Sequence, residues 1–85
     1  MSKIKSVTMY TTGVCAYCHA EKEFLKQHDI KFDEVRVDTD AQAAEEFINL
    51  SGQMGVPFTV VKKADDTEEH ILGFDQPRLA HALGI

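Results

Sequence analysis

Two cysteines, Cys15 and Cys18, are the only cysteines in this chain of 85 residues, and two residues separate them. They follow Val7-Thr8-Met9-Tyr10, a run that predicts a strand, and they open a stretch of helical periodicity that ends near His28. A pair this close encloses too short a loop to stabilise a fold as a disulfide. The spacing therefore indicates thiols that react or bind a ligand.

The position at a strand-to-helix junction predicts different roles for the two thiols. The first N–H groups of a helix have no intrahelical partner, and the helix dipole places positive charge there. A thiolate at Cys15 is stabilised in that place, so its pKa should fall below the ordinary value of about 8.5. Cys18 lies one turn further on, within reach of a mixed disulfide at Cys15. We expect Cys15 to be the exposed nucleophile and Cys18 the more buried resolving thiol.

Two other kinds of site use similar residues. Zinc takes four ligands, but the chain has no second cysteine pair and its histidines are scattered, so we expect no metal site. Cys15-Ala16-Tyr17-Cys18-His19 also matches the attachment pattern of c-type haem, with Met54 as a candidate distal ligand. A haem protein of that kind would be exported and mostly helical, which the strand patterns do not favour.

Composition and charge narrow the class of protein. A chain of this length, 44% hydrophobic and 27% charged, predicts one folded domain spanning residues 1–85. Nine Lys and Arg against fourteen Asp and Glu give a net charge of −5, which argues against nucleic-acid and anionic-membrane partners. No apolar run is long enough to cross a bilayer, and residues 1–6 lack the apolar stretch of a secretory signal. We therefore expect a cytoplasmic protein.

Apolar spacing and turn residues predict an α/β fold of seven elements, in the order strand, helix, strand, helix, strand, strand, helix. The predicted ranges are 7–10, 15–28, 32–37, 39–52, 57–61, 68–72 and 75–84. The first three elements form a βαβ unit with parallel strands, and Asp65-Asp66 is the turn of an antiparallel hairpin. A four-stranded mixed sheet flanked by three helices follows. Thr39-Asp40-Ala41-Gln42 matches the capping box that starts the second helix.

Helical spacing also predicts which side chains face inward. On the first helix we expect an apolar face formed by Tyr17, Ala20, Phe24 and Leu25. The opposite, polar face is expected to consist of Glu21, Lys22, Glu23 and Lys26. On the second helix the residues expected to point inward are Ala43, Ala44, Phe47, Ile48 and Leu50.

Three blocks of the sequence together resemble the glutaredoxin family, over essentially the whole chain. They are Thr8-Met9-Tyr10-Thr11-Thr12 leading into Cys15-Ala16-Tyr17-Cys18, then Gly55-Val56-Pro57, then Gly73-Phe74-Asp75. The resemblance implies a thioredoxin fold and thiol–disulfide exchange through Cys15 and Cys18. It further implies glutathione as co-substrate and no tightly bound cofactor.

The resemblance also implies roles for individual residues. Tyr17 is similar to the aromatic residue that borders the glutathione groove. Pro57 is similar to the family's cis proline, and Val56 would then offer its backbone N–H and C=O to an extended substrate. Gly73, Phe74 and Asp75 resemble the segment that holds the γ-glutamyl end of glutathione.

The chain departs from the family pattern at three places. Ala16 replaces a common proline, Leu72-Gly73 replaces a paired glycine, and Thr12 stands where many members carry Lys or Arg for the glycyl carboxylate of glutathione. We expect a monomer whose partners are glutathione and disulfide-bearing proteins. The resemblance leaves two alternatives open. One is an electron donor to ribonucleotide reductase that thioredoxin reductase reduces, and the other is an iron–sulfur carrier in which two chains share a cluster through Cys15 and two glutathiones.

Overall fold

A computed structural model describes residues 4–85. Met1, Ser2 and Lys3, which belong to the N-terminal segment considered above, lie outside the described residues. The elements follow the predicted order: β1 (Ile4–Thr11), α1 (Ala16–Gln27), β2 (Asp33–Arg36), α2 (Ala41–Ser51), β3 (Phe58–Lys63), β4 (Glu68–Leu72) and α3 (Gln76–Leu83). No helix in the described part of the chain is long and apolar enough to cross a membrane.

The four strands form one mixed sheet in the order β2-β1-β3-β4. β1 pairs in parallel with β2, whereas β3 is antiparallel to both β1 and β4. This arrangement confirms the predicted α/β fold, the parallel βαβ unit and the hairpin. In the register, Tyr10 lies opposite Phe58, and Phe58 lies opposite Leu72. The end of β1, the start of β3 and the end of β4 therefore meet at one end of the sheet.

Apolar side chains cover both faces of this sheet. The larger cluster joins β1, β3 and β4 to α1 and α3, through residues such as Met9, Leu25 and Leu79. The smaller cluster packs Phe47 of α2 against the other face, beside Phe58 and Val60. Two helices on one face and one on the other give a three-layer architecture, and the start of α1 is held at the edge of the larger core.

The predicted start of α2 needs correction. The helix begins at Ala41, and its N-cap is Asp40, whose carboxylate accepts hydrogen bonds from the amides of Gln42 and Ala43 at 3.0 and 3.2 Å. The capping box that starts at Thr39 is therefore wrong by one residue, because the carboxylate at position 40 already satisfies the free amides. β3 also starts one residue later than predicted, since Pro57 has no N–H to donate to a neighbouring strand.

The predicted helix faces are partly wrong. On α1, Glu21 is 0% exposed, whereas Tyr17 is 69% exposed and Ala20 is also exposed. On α2, Ala43 and Phe47 point inward as predicted, but Ile48 and Leu50 are 39% and 41% exposed. Phe47 is the residue of α2 that packs on Phe58 and Val60. The other apolar residues, Ile48 and Leu50, lie to the side of this contact and remain at the surface.

Candidate active site

Cys15 and Cys18 lie where the sequence places them, at the junction of β1 and α1. They form a disulfide with their Cα atoms 5.2 Å apart. Cys15 is the N-cap of α1 and is half-buried, and its Sγ accepts a hydrogen bond from the Cys18 amide at 3.1 Å. Cys18 is only 1% exposed and belongs to the larger core. Solvent and substrates therefore reach Cys15 first.

The helix start supplies what a reactive sulfur at Cys15 needs. An N-cap sulfur that accepts a backbone N–H sits at the positive end of the helix dipole. Both features favour the thiolate over the thiol, because they stabilise negative charge on sulfur. The geometry can thus support nucleophilic attack by Cys15 on a disulfide, with the resolving thiol one helical turn away.

The second block, Val56-Pro57, lies at the same end of the sheet. The Val56–Pro57 peptide bond is cis, which confirms the assignment of Pro57 as a cis proline. Pro57 is buried, and its carbonyl accepts a hydrogen bond from the Gly73 amide at 2.7 Å. Val56 is half-buried and touches both core clusters. The hydrogen bond joins the second and third blocks next to the end of β1.

The third block leads from β4 into α3. Gly73 has φ +74°, a left-handed conformation that side chains with a Cβ rarely adopt. Asp75 is the N-cap of α3 and accepts a hydrogen bond from the Arg78 amide at 3.3 Å. Phe74 is half-buried and meets Phe24 edge to face, with ring centroids 5.8 Å apart. Phe74 therefore has a packing role in addition to any contact with a ligand.

Thr12 lines a groove of about 240 Å³ whose other walls come mainly from α2 and the segment after β2. The same groove is lined by Asp38. Hydrogen bonds from Arg36 and from the Gly13 amide hold the pKa of the Asp38 carboxyl well below its usual range. This wall of the groove therefore carries a neutral hydroxyl and a charged carboxylate that is already paired.

Two exposed apolar side chains flank Cys15 in the sequence: Val14, immediately before it, is 96% exposed, and Tyr17 is also well exposed. Met54 is exposed too, and it lines the same groove as Thr12. The exposure of Tyr17 contradicts its predicted place on the inward face of α1, but it leaves the ring free to border a ligand groove beside the cysteines.

The sequence prediction missed Glu21. This carboxyl group is buried on α1 and accepts a short hydrogen bond from the Thr59 hydroxyl of β3. Burial raises the pKa of Glu21 to about 7, although the hydrogen bond from Thr59 opposes this change. Helical spacing contained the signal, because Cys18, Glu21 and Leu25 follow one another at steps of three and four residues. Assigning every charged residue to the polar face hid it.

Two findings concern the haem and zinc interpretations. A c-type haem protein was expected to be mostly helical, whereas this fold is built on a four-stranded sheet. Among residues 4–85, no group of three or more His, Cys, Asp or Glu side chains is placed to hold a metal ion.

Comparison with known proteins agrees with this geometry. The glutaredoxin family model matches residues 7–64. A glutaredoxin of Neisseria meningitidis is 38% identical over 84 residues, which cover 96% of this chain and 93% of that protein. Glutaredoxin 3 of Escherichia coli is 38% identical over 79 residues, which cover 93% of this chain and 89% of that protein.

Solved structures show the same fold. The glutaredoxin-like protein NrdH-redoxin of Escherichia coli, described as having a thioredoxin-like activity profile, superimposes with a TM-score of 0.71 at 28% identity. The match covers 93% of this chain and 95% of that one. These likenesses confirm the expected thioredoxin fold. With a Cys-Xaa-Xaa-Cys pair at the start of α1 and a cis proline beside it, this chain belongs to the glutaredoxin family.

Proposed function

We propose that the protein is a thiol–disulfide oxidoreductase that reduces protein disulfides and glutathione mixed disulfides through Cys15 and Cys18. The observation that carries the proposal is the asymmetry of the pair. The Cys15 sulfur is half-buried at the helix N-cap and accepts the Cys18 amide, whereas Cys18 is enclosed in the core. A reactive outer sulfur and a protected inner sulfur suit a two-step exchange.

In the first step, the Cys15 thiolate attacks one sulfur of a substrate disulfide. A bond forms between Cys15 and that sulfur, and the other substrate sulfur leaves as a thiolate. In the second step, Cys18 attacks Cys15, which releases the reduced substrate and leaves the Cys15–Cys18 disulfide. An external thiol then reduces this disulfide and restores the dithiol.

We propose that the substrate lies along the edge formed by Val56 and Gly73. The backbone of Val56 precedes the cis peptide bond at the site end of the sheet, and the Gly73 amide anchors the Pro57 carbonyl nearby. Main-chain pairing of this kind recognises an extended peptide without selecting its side chains. In this proposal the exposed ring of Tyr17 and Phe74, which follows Gly73, contact the same substrate, and the start of α3 at Asp75 suits the amino-terminal end of glutathione.

Glutathione is our first choice of reductant, because the chain belongs to the glutaredoxin family and retains these segments. Thr12 and Asp38 favour a second candidate. Among residues 4–85, those that line this groove include no Lys or Arg for the glycyl carboxylate, so we expect weak binding of glutathione. The second candidate is a donor to ribonucleotide reductase that thioredoxin reductase reduces, and the likeness to NrdH-redoxin supports it.

The deciding experiment measures reduction of the Cys15–Cys18 disulfide by the two systems side by side. One arm contains glutathione, glutathione reductase and NADPH, and the other contains thioredoxin reductase and NADPH. Faster turnover in the first arm supports the glutathione-dependent enzyme. Turnover confined to the second arm assigns the protein to the donor group, and no turnover in either arm contradicts the oxidoreductase proposal.

A further inference from the structure

Glu21 is a buried acid to which the exchange reaction, as described so far, assigns no part. It is fully enclosed, yet only one of its carboxyl oxygens has a hydrogen-bond partner, the Thr59 hydroxyl. The other oxygen, Oε1, is buried without a hydrogen-bond partner among residues 4–85. A polar atom left in this state costs stability, because it loses contact with water and gains nothing in return. Such an arrangement calls for a functional reason.

The nearest reactive group along the helix is Cys18. Residues three apart on an α-helix lie on the same face, with Cβ atoms about 5 to 6 Å apart. Cys18 and Glu21 are three apart, both are buried, and the sheet covers both. The enclosed carboxyl group and the enclosed thiol therefore share one face of α1.

Within the described part of the chain, Glu21 forms no ion pair that would compete with this role. Because side chains alternate along a strand, several charged residues lie on the same face of the sheet as Thr59. Each of them pairs with a residue other than Glu21. Glu34 binds Lys22 and Thr11, Arg36 binds Asp38, and Lys63 binds Glu69. On α3, Asp75 caps its own helix, and Arg78 and His81 are exposed. The charge on Glu21 thus depends on burial and on Thr59.

A buried thiol has a problem in the second step of the exchange. Cys18 attacks as a thiolate, but apolar surroundings oppose its ionisation and keep solvent bases away. We propose that Glu21 accepts the proton of Cys18 when the mixed disulfide is resolved and returns it when the disulfide is reduced. This inference rests on the proposed function and adds the proton path to it.

The step balances as follows. The Cys18 S–H bond breaks, its proton passes to the Glu21 carboxylate, and the Cys18 sulfur forms a bond to Cys15. The bond between Cys15 and the substrate sulfur breaks, and that sulfur leaves with the electron pair. Cys18 is oxidised and the substrate sulfur is reduced. In the reverse direction, a reducing thiol attacks Cys15, and the displaced Cys18 thiolate takes the proton from the Glu21 carboxylic acid. Both forms of Glu21 are available near neutral pH, because burial raises its pKa to about 7.

The test follows the two steps separately in the full-length reduced protein. Ellman's reagent, an aromatic disulfide, releases one coloured thiolate when Cys15 attacks and a second when Cys18 resolves the mixed disulfide. Stopped-flow traces between pH 5 and 9 are compared for wild type and Glu21→Gln, which keeps the size of the side chain. We expect the first phase to be unchanged and the second to slow by about 10²-fold at pH 7, within the usual range for loss of a general base.

The pH profile distinguishes proton transfer from a structural effect. In wild type the second phase should rise with pH and level off above about 7, as Glu21 ionises. In Glu21→Gln it should instead keep rising up to pH 9, because burial places ionisation of the thiol above its ordinary range near 8.5. Glu21→Asp, which restores a carboxyl group, should recover the neutral inflection. Glu34→Gln is the matched control, since it removes a carboxylate from the same sheet face and should leave both phases unchanged.

The outcomes separate the two proposals. A missing first phase in wild type contradicts the oxidoreductase function itself. A normal first phase with the same second-phase profile in wild type and Glu21→Gln overturns the role of Glu21 alone. If Glu21→Gln does not fold, carbon-13 NMR of the glutamate carboxyl carbons in the oxidised and reduced wild-type protein tests the role of Glu21 instead. We expect the titration of Glu21 to move upward when the disulfide is reduced, and an identical titration in both states overturns the inference.

Discussion

The Thr59 hydroxyl donates a hydrogen bond to the carboxyl group of Glu21, inside the core between α1 and the sheet. Thr59 lies in β3, two residues after the cis proline at position 57. The segment from Val56 to Thr59, which leads into β3, therefore joins the proposed substrate edge to the partner of the buried acid. A change in the position of β3 would alter both at once, which couples substrate contact to the surroundings of Cys18.

Burial of Glu21 should make the free energy of unfolding depend on pH. Its pKa is raised from 4.5 to about 7 in the folded protein. Between these values the folded state binds more protons than the unfolded state, so stability falls as pH rises. The loss approaches about 3 kcal/mol above pH 7, taking 1.36 kcal/mol for each pH unit. Urea unfolding should show that Glu21→Gln gains stability over wild type across this range. A difference that does not vary with pH would contradict it.

Glu34 should show the opposite dependence. Hydrogen bonds from Thr11 and Lys22 lower the pKa of Glu34. The folded state then binds fewer protons than the unfolded state, and the resulting stability is present above pH 4.5 and lost as pH falls through the folded pKa. Urea unfolding of Glu34→Gln should show a deficit against wild type at pH 7 that shrinks toward pH 3. A deficit that grows as pH falls would contradict the assignment.

Replacing Cys15 and replacing Cys18 should cause different losses of activity. Cys15→Ser should abolish all disulfide reduction, because a serine hydroxyl is scarcely ionised at neutral pH and does not attack sulfur. Cys18→Ser should lose reduction of protein disulfides but keep part of the reduction of glutathione mixed disulfides, where external glutathione resolves the intermediate. Steady-state assays with both substrates measure this difference. Equal loss in the two variants would contradict the assigned order of attack.

Thr12→Lys should strengthen the glutathione site. A charge-assisted hydrogen bond exceeds a neutral one by roughly 1 kcal/mol, so KM for a glutathionylated peptide should fall several-fold with kcat nearly unchanged. Thr67→Lys adds the same charge in the β3–β4 turn, at the other end of the sheet, and controls for the net charge of −5. Assays at two salt concentrations complete the test. An equal fall in KM for both variants would show that only net charge matters.

Gly73 and Gly52 form a matched pair of left-handed glycines, with φ +74° and +71° and open space where a Cβ would lie. Alanine at either position should cost about 1 to 2 kcal/mol of stability. Only Gly73 donates its amide to the Pro57 carbonyl. Gly73→Ala should therefore also slow attack on a peptide disulfide, whereas Gly52→Ala should not. Denaturant unfolding and stopped-flow kinetics measure the two effects, and equal kinetics in both variants would contradict the role given to Gly73.

Much of this molecule was predictable because its signals are local. Pro and Gly mark the turns, β1 and β3 are rich in β-branched residues, and the cysteine pair stands at a helix start. As predicted, Asp75 is the N-cap of α3 and Gly84 is its C-cap, since each satisfies free backbone groups at one end of the helix. The family resemblance added the cis bond before Pro57, which no local property of the chain indicates.

The errors arose where burial depends on the rest of the fold. In the sequence Glu21 has the properties of a surface residue. It is buried because α1 packs on the sheet at Thr59. Tyr17 looks like a core residue, but it lies in the first turn of α1, next to the open end of the sheet. Leu50 follows Ala43 by two full helical turns, yet the last turn of α2 leaves it exposed. In each case the exposure of the side chain depends on how far the sheet extends over the helix. The periodicity of the helix sequence does not contain that information.

The central place of β1 has a consequence for how the chain is made. β1 is translated before both of its neighbours in the sheet. β2 ends at Arg36, whereas β3 ends only at Lys63. At about 5 to 20 residues per second, one side of β1 stays unpaired on the ribosome for roughly 1 to 5 seconds after β2 has been synthesised. The hairpin of β3 and β4 completes the sheet, and it also brings Pro57 and Gly73 to the end of the sheet that leads to Cys15. The nascent chain thus carries its cysteine pair before it has the edge that we propose holds the substrate.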